Sequence, residues 1–131
     1  PPNTTMIIGI GATTGKVGFA TIPCSFNQQI TAFFTNSVYP KFIMYWMIAN
    51  TKFLRETALF TTLPILNNQT IGNYMFLCPQ NIVEEKKIAD FLDIKCKEIE
   101  NIIEKKLRII FKLTDYKKSL IYEVVTGKKE V

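Results

Sequence analysis

The period of the hydrophobic positions changes twice along this chain. Between Met6 and Phe34, short β-branched and aromatic runs (MIIGI, KVGFATI, QITAFF) are separated by Gly, Pro, Asn and Ser. That pattern predicts a small sheet with tight connections. The segment YPKFIMYWMIANTKFLRETAL then opens on Pro40 and places apolar residues at 43, 46, 47, 49, 53 and 54, which is the spacing of a largely buried helix. A polar interval, FTTLPILNNQTIGN, leads to YMFLCP, whose composition predicts a further strand.

The second change is larger. From Glu84 to Thr126 no Gly or Pro interrupts the chain, a span of about 65 Å at 1.5 Å per residue. Apolar side chains recur at 88, 92, 96, 99, 102, 103, 109, 110, 113, 116, 120 and 124, with Lys106 breaking the seam. This is a seven-residue repeat, and it predicts one long helix that needs a partner helix to cover its stripe. Glu84 and Glu85 suit the positive end of the helix dipole, and Gly127 with Lys128 and Lys129 marks the stop. The expected architecture is α+β: a small β-rich portion over residues 1–80, a long coiled-coil-forming helix over 84–126 and a tail at 127–131.

Charge follows the same division. Residues 1–80 hold only Lys16, Lys41, Lys52, Arg55 and Glu56, whereas residues 81–131 hold eleven lysines and Arg108 against ten acids. The net charge of +5 favours a polyanionic partner without specifying one. Three cysteines, Cys24, Cys78 and Cys96, show no paired metal spacing, and histidine is absent, so we expect reduced thiols, no metal site and a cytoplasmic setting. No basic leader followed by an apolar run is present, and the apolar run from Phe42 is far shorter than the ~20 residues that cross a bilayer. The abrupt entry from PPNTTM into a strand suggests a piece of a longer chain.

Glycines crowding a lysine in IIGIGATTGKVGF raise the question of a phosphate loop. The spacing Gly-x₄-Gly-Lys-Ser/Thr is not met, because Ile10 stands where the first glycine belongs and Val17 follows Lys16. Gly9, Gly11 and Gly15 are also one residue too far apart for the dinucleotide fingerprint. The stretch reads as a bend between two strands. Catalysis has little to draw on: without histidine, and with Glu56 the one carboxylate before residue 80, acid–base chemistry lacks its usual groups. Cys24 and Cys78, each beside a proline, read as packing residues, and a cysteine enzyme is a remote alternative. Instead, the first 80 residues carry twelve Thr, seven Asn and four Gln. Such side chains read base edges, with amides bidentate to adenine. They are also the ordinary residues of turns, and composition alone favours the turns. Phe42, Tyr45, Trp46 and Phe53 fall at helical spacing and read as core.

Four stretches, in order, resemble the specificity subunit of type I restriction-modification enzymes. PPNTTMIIGIGATTGKVGFATIPCSFNQQI is similar to the middle of that family's target recognition domain, with its strand, its loop ending in Gly-Lys-Val, its Pro-Cys and its Phe-Asn-Gln. TTLPILNNQTIGNYMFLCP resembles the later Thr-x-x-Pro-x-Leu loop and closing strand. EEKKIADFLDIKCKEIENIIEKK and YKKSLIYEVVTGKKEV resemble the two ends of the spacer helix. The resemblance implies a non-catalytic element, the C-terminal part of one recognition domain plus one spacer helix, that needs no cofactor of its own. It also implies as partners double-stranded DNA, a DNA adenine methyltransferase subunit docked on the helix and, indirectly, the restriction subunit. It places DNA contacts at Thr13, Thr14, Lys16, Asn27, Gln28, Thr61, Thr62, Asn67 and Asn68, with Lys16 on phosphate. Leu92, Ile99, Ile102, Ile103, Ile110, Leu113 and Leu120 are expected to form the helix seam, through which copies self-associate. The alternative is a coiled-coil protein-interaction module, or an orphan fragment, without DNA binding.

Overall fold

The computed structural model describes residues 1–60 and 64–131, without the side chains of residues 59 and 60. It is α+β, as expected. Three short strands, β1 (Thr4–Ile8), β2 (Val17–Ala20) and β3 (Ile30–Phe33), form an antiparallel sheet in the order β2-β1-β3. Helices α1 (Pro40–Ala49) and α2 (Thr51–Glu56) follow, then a two-stranded ladder of β4 (Leu59–Phe60) and β5 (Pro64–Ile65). The one-turn helix α3 (Asn68–Gly72) precedes the long helix α4 (Ile82–Val125). The chain divides into two compact units, Pro1–Leu92 and Asp93–Val131.

The register pairs Met6 with Gly18 on one side and Ala32 on the other. Side chains alternate across a strand, so Thr5 and Ile7 turn inward while Met6 and Ile8 take the opposite face. Ile7 joins Ile43 and Met47 of α1, Leu54 of α2, and Ala58, Leu66 and Ile71 in one buried cluster. Full burial of an aliphatic side chain such as Leu54 contributes about 1.5–3 kcal/mol. Inward Thr5 is satisfied by donating to the Pro40 carbonyl at 2.6 Å.

The helix expected over Tyr39–Leu59 is two helices. Asn50 sits between them at φ −101° and ψ 13°, and its side-chain amide donates to the Trp46 carbonyl at 2.8 Å. Asparagine competes in this way with helical backbone bonds, so the chain turns here although its apolar period continues. The strand expected at YMFLCP also does not form, because residues 74–79 are irregular. Alternation is present: Tyr74 and Phe76 are half-buried while Met75 and Leu77 are 97% and 95% exposed. The inward side chains are held by aromatic packing, Phe76 on Trp46 at 5.1 Å and Tyr74 on Phe53 at 5.5 Å, and no described strand pairs with this backbone. Cys24 and Cys78 are exposed rather than packed.

Within the first unit, α4 starts two residues before Glu84, where Asn81 Oδ1 accepts from the Val83 amide at 2.9 Å. Glu85 is 2% exposed, and its Oε2 accepts from the Tyr39 amide at 2.6 Å. This carboxylate ties the first turn of α4 to the residue that precedes α1, and Ala89, one turn further on, is fully buried. In the second unit the helix presents its apolar positions to solvent: Ile99, Ile102, Ile103, Ile110 and Leu113 are each at least half exposed. Leu107, Phe111, Ile121 and Val125 form an exposed flank beside that seam. The helix ends where Gly127 takes φ 71° and the Lys128 amide reaches back to the Glu123 carbonyl at 2.8 Å, a Schellman closure. Among the described residues, no helix is long and apolar enough to cross a membrane.

Candidate nucleic-acid interface

The glycine-rich bend joins β1 to β2, and its amides are turned inward. The amides of Gly9, Gly11, Thr14, Gly15 and Lys16 donate to the carbonyls of Gln29, Pro64, Gly11, Ile8 and Thr13, at 2.7 to 3.3 Å. A phosphate-cradling loop presents such groups to its ligand; here they stitch the bend to itself and to two neighbouring segments. Gly9 is required by close approach, because a Cβ there would lie 2.9 Å from the Leu66 carbonyl oxygen, whose own amide donates to the Gly9 carbonyl at 2.7 Å.

That stitching assembles a polar cavity. Because Gly9 bonds Gln29 on one side and Leu66 on the other, the entry to β3 and the segment after β5 are drawn together. Between them lies a cavity of about 210 Å³, floored by Ile10, Ile65 and Leu66 and rimmed by Gln28, Gln29, Thr31, Asn67 and Asn68. The Thr31 hydroxyl donates to Asn68 Oδ1 at 3.0 Å, Asn67 Oδ1 accepts from the Thr70 amide at 2.7 Å, and Asn27 Oδ1 accepts from the Gln29 amide at 3.0 Å. Among the described residues, none that lines the cavity is charged. In residues 1–80, four cations stand against Glu56 alone, which itself lies 3.9 Å from Lys52. A polyanion approaching this portion therefore meets little repulsion.

The residues singled out from the sequence fall in different places. Gln28, Asn67 and Asn68 line the polar cavity, and Asn27 adjoins it in the chain. Thr13 is exposed on the bend, whereas Thr14 is fully buried, its hydroxyl donating to the Gly11 and Pro64 carbonyls at 2.6 and 3.0 Å. Lys16 is exposed and lines a separate groove on the sheet, with Met6, Gly18 and Ile30. Thr61 and Thr62 lie outside the described residues. Gln29 and Thr31 were missed by sequence reasoning. The signal was available in QITAF, whose alternation puts Gln29 and Thr31 on the face opposite Ile30.

Residues 1–109 match the family model of the type I restriction modification DNA specificity domain. The chain belongs to that family. No individual curated protein matches it. Membership in the type I restriction modification DNA specificity domain family assigns the chain a role in DNA sequence specificity within type I restriction-modification, in a family that is not catalytic. The matched span takes in the whole sparsely charged, Asn- and Thr-rich portion and runs on into α4 as far as Ile109. Amide and hydroxyl side chains are among those that hydrogen-bond base edges in DNA.

Proposed function

We propose that residues 1–80 read one half of a bipartite DNA site, that the helix over 84–126 is the spacer on which a DNA adenine methyltransferase subunit docks, and that 127–131 is a tail. The observation that carries this reading is the amide-lined cavity inside a span that matches a DNA specificity family. Gln28, Asn67 and Asn68 at the cavity, with Asn27 beside it, are the base-reading candidates, and exposed Lys16 and Thr13 serve phosphate or groove contact. Thr14 supports the bend from within, and Thr61 and Thr62 remain candidates from the resemblance alone. Methylation and cleavage belong to partner subunits in the cytoplasm, and the restriction subunit is reached indirectly.

Self-association through Leu92, Ile99, Ile102, Ile103, Ile110, Leu113 and Leu120 would supply the second half-site. The exposed stripe on residues 99–113 supports it, since a coiled-coil pair covers such a seam. The flank of Leu107, Phe111, Ile121 and Val125 lies outside a two-helix seam and suits a methyltransferase helix. The same exposed apolar surface favours a second reading, a protein-interaction module without DNA binding. Copurification with the methyltransferase subunit, followed by methylation sequencing, decides between them. A complex that methylates one symmetric motif is the expected result. A stable complex without methylation would leave the chain as a scaffold, and no complex would remove the docking assignment.

A further inference from the structure

We propose that Arg55, whose stem packs on the glycine bend, is a second phosphate-contacting residue of the DNA-reading portion, acting beside Lys16. This inference rests on the DNA-reading role proposed above and adds to it a charged residue that the sequence did not single out. Residues 1–80 hold four cations. Lys52 lies 3.9 Å from Glu56, the one carboxylate of that portion, and the Lys41 ammonium lies 5.9 Å from the centre of the Phe19 ring. Among the described residues, the charged groups of Lys16 and Arg55 have no such partner. Both residues are exposed. They are also the two cations that the fold brings to one place, although they are far apart in the sequence.

The bend is what joins them. Gly15 has φ 87°, and a Cβ there would lie 2.6 Å from Arg55 Cγ and 3.3 Å from Cδ, so the arginine stem fills the space a side chain would take. The Thr51 carbonyl, one turn earlier on α2, comes within 3.6 Å of the same point. Arginine commonly packs its methylenes while its charged head stays in water, and that is the arrangement here. Lys16 follows Gly15 in the chain and lines the groove on the outer face of the sheet with Met6 and Gly18. Arg55 reaches the bend from the helical layer on the inner face, where Leu54 is buried with Ile7. The bend therefore carries one cation from each side, which suits two separate phosphates. It also borders the amide cavity: the Ile8 carbonyl accepts from the Gly15 amide at 2.8 Å, the Ile8 amide donates to the Lys16 carbonyl at 2.9 Å, and Gly9, next in the chain, lines the cavity. Phosphate contacts fix register and orientation, and base contacts specify sequence. Cations on the bend supply the first beside an uncharged site for the second. A cation in the last turn of α2 also complements the helix dipole, but that role acts on stability and not on the salt dependence of DNA binding.

Arg55→Gln tests the inference. Glutamine keeps the β, γ and δ carbons, so the packing over Gly15 stands, and it removes the charge. The full chain selects a motif from a randomised duplex pool. Affinity of the wild-type chain and each variant for that duplex is then measured between about 50 and 300 mM salt, with thermal melts as the folding control. Each neutralised phosphate contributes about 0.9 to the slope of log affinity against log salt. Arg55→Gln is expected to lower that slope by about one and to weaken all sequences alike. Arg55→Lys should keep the slope, and so should Lys52→Gln, which removes an already paired cation from the same helix. An unchanged slope in Arg55→Gln would overturn the inference and leave DNA reading intact. An equal loss in Lys52→Gln would overturn it too, by assigning the effect to the general field of this portion. A changed base preference in Arg55→Gln would place the guanidinium on a base edge and overturn the phosphate assignment. No binding by the wild-type chain would instead remove the DNA-reading role, and the inference with it.

Discussion

Gly15 adopts φ 87°, and a Cβ there would fall 2.6 Å from Arg55 Cγ and 3.6 Å from the Thr51 carbonyl. A side chain there is strained by the backbone conformation and crowded by Arg55. Gly15→Ala is expected to lower the unfolding free energy by about 1–3 kcal/mol in urea denaturation. Glu85 makes a comparable local contribution by a different route. Removing its carboxylate in Glu85→Ala leaves the Tyr39 amide without its 2.6 Å acceptor, and an unsatisfied buried donor costs about 1–3 kcal/mol. Glu85→Gln keeps an acceptor oxygen and should recover most of that loss in the same melt. A Gln variant as unstable as the Ala variant would show that this hydrogen bond is not what matters. Single residues are also where sequence reading reached least far. Thr13 and Thr14 are identical and adjacent, yet one is exposed and the other fully buried with both bonds inside the fold. Nothing local distinguishes them, because the partner that buries Thr14 is the Pro64 carbonyl, fifty residues away.

At the scale of the element, periodicity was the reliable guide and propensity for a ladder was not. The three strands of the sheet and the long helix were legible because each carries its own period and its own stop signals. Gly127 ends α4 as its position suggested. Residues 74–79 had the alternation of a strand and kept it, but alternation records which side chains turn inward, whereas a strand also requires a neighbouring edge. The same distinction governs the helix seam. Lys106 interrupts the repeat of Ile99 and Leu113, and a cation at such a position lowers pairing stability while fixing register. Lys106→Leu is expected to tighten self-association roughly tenfold or more in sedimentation equilibrium, and Leu113→Lys to weaken it by a similar factor. A monomer at tens of micromolar for both the wild-type chain and Lys106→Leu would rule out the seam as a self-association surface.

For the molecule as a whole, the charge along α4 bears on how two copies would meet. Residues 82–104 hold seven carboxylates and four lysines, and residues 105–125 hold six cations and two carboxylates. An antiparallel pair sets the acidic half of one helix against the basic half of the other, and a parallel pair sets like against like. Salt screens such interactions over a Debye length of about 8–10 Å. Self-association is therefore expected to weaken as salt rises from 50 to 500 mM. Strengthening over that range would mean parallel pairing, and with it a different spacing between the two DNA-reading portions.

The sequence by itself determined the α+β class, the separation of a sparsely charged Asn- and Thr-rich portion from a charge-rich helix, and the glycine bend that is not a phosphate loop. These are properties of period, composition and spacing, which every local window of the chain carries. Tertiary structure alone decided that the bend is stitched to segments twenty and fifty-five residues onward, so that Gln28, Gln29, Thr31, Asn67 and Asn68 share one cavity. It also decided that Thr14 is buried beside exposed Thr13, since the Pro64 carbonyl that accepts from Thr14 lies fifty residues away. Pairings between segments so distant in sequence are carried by no local window, so only the folded chain could set them.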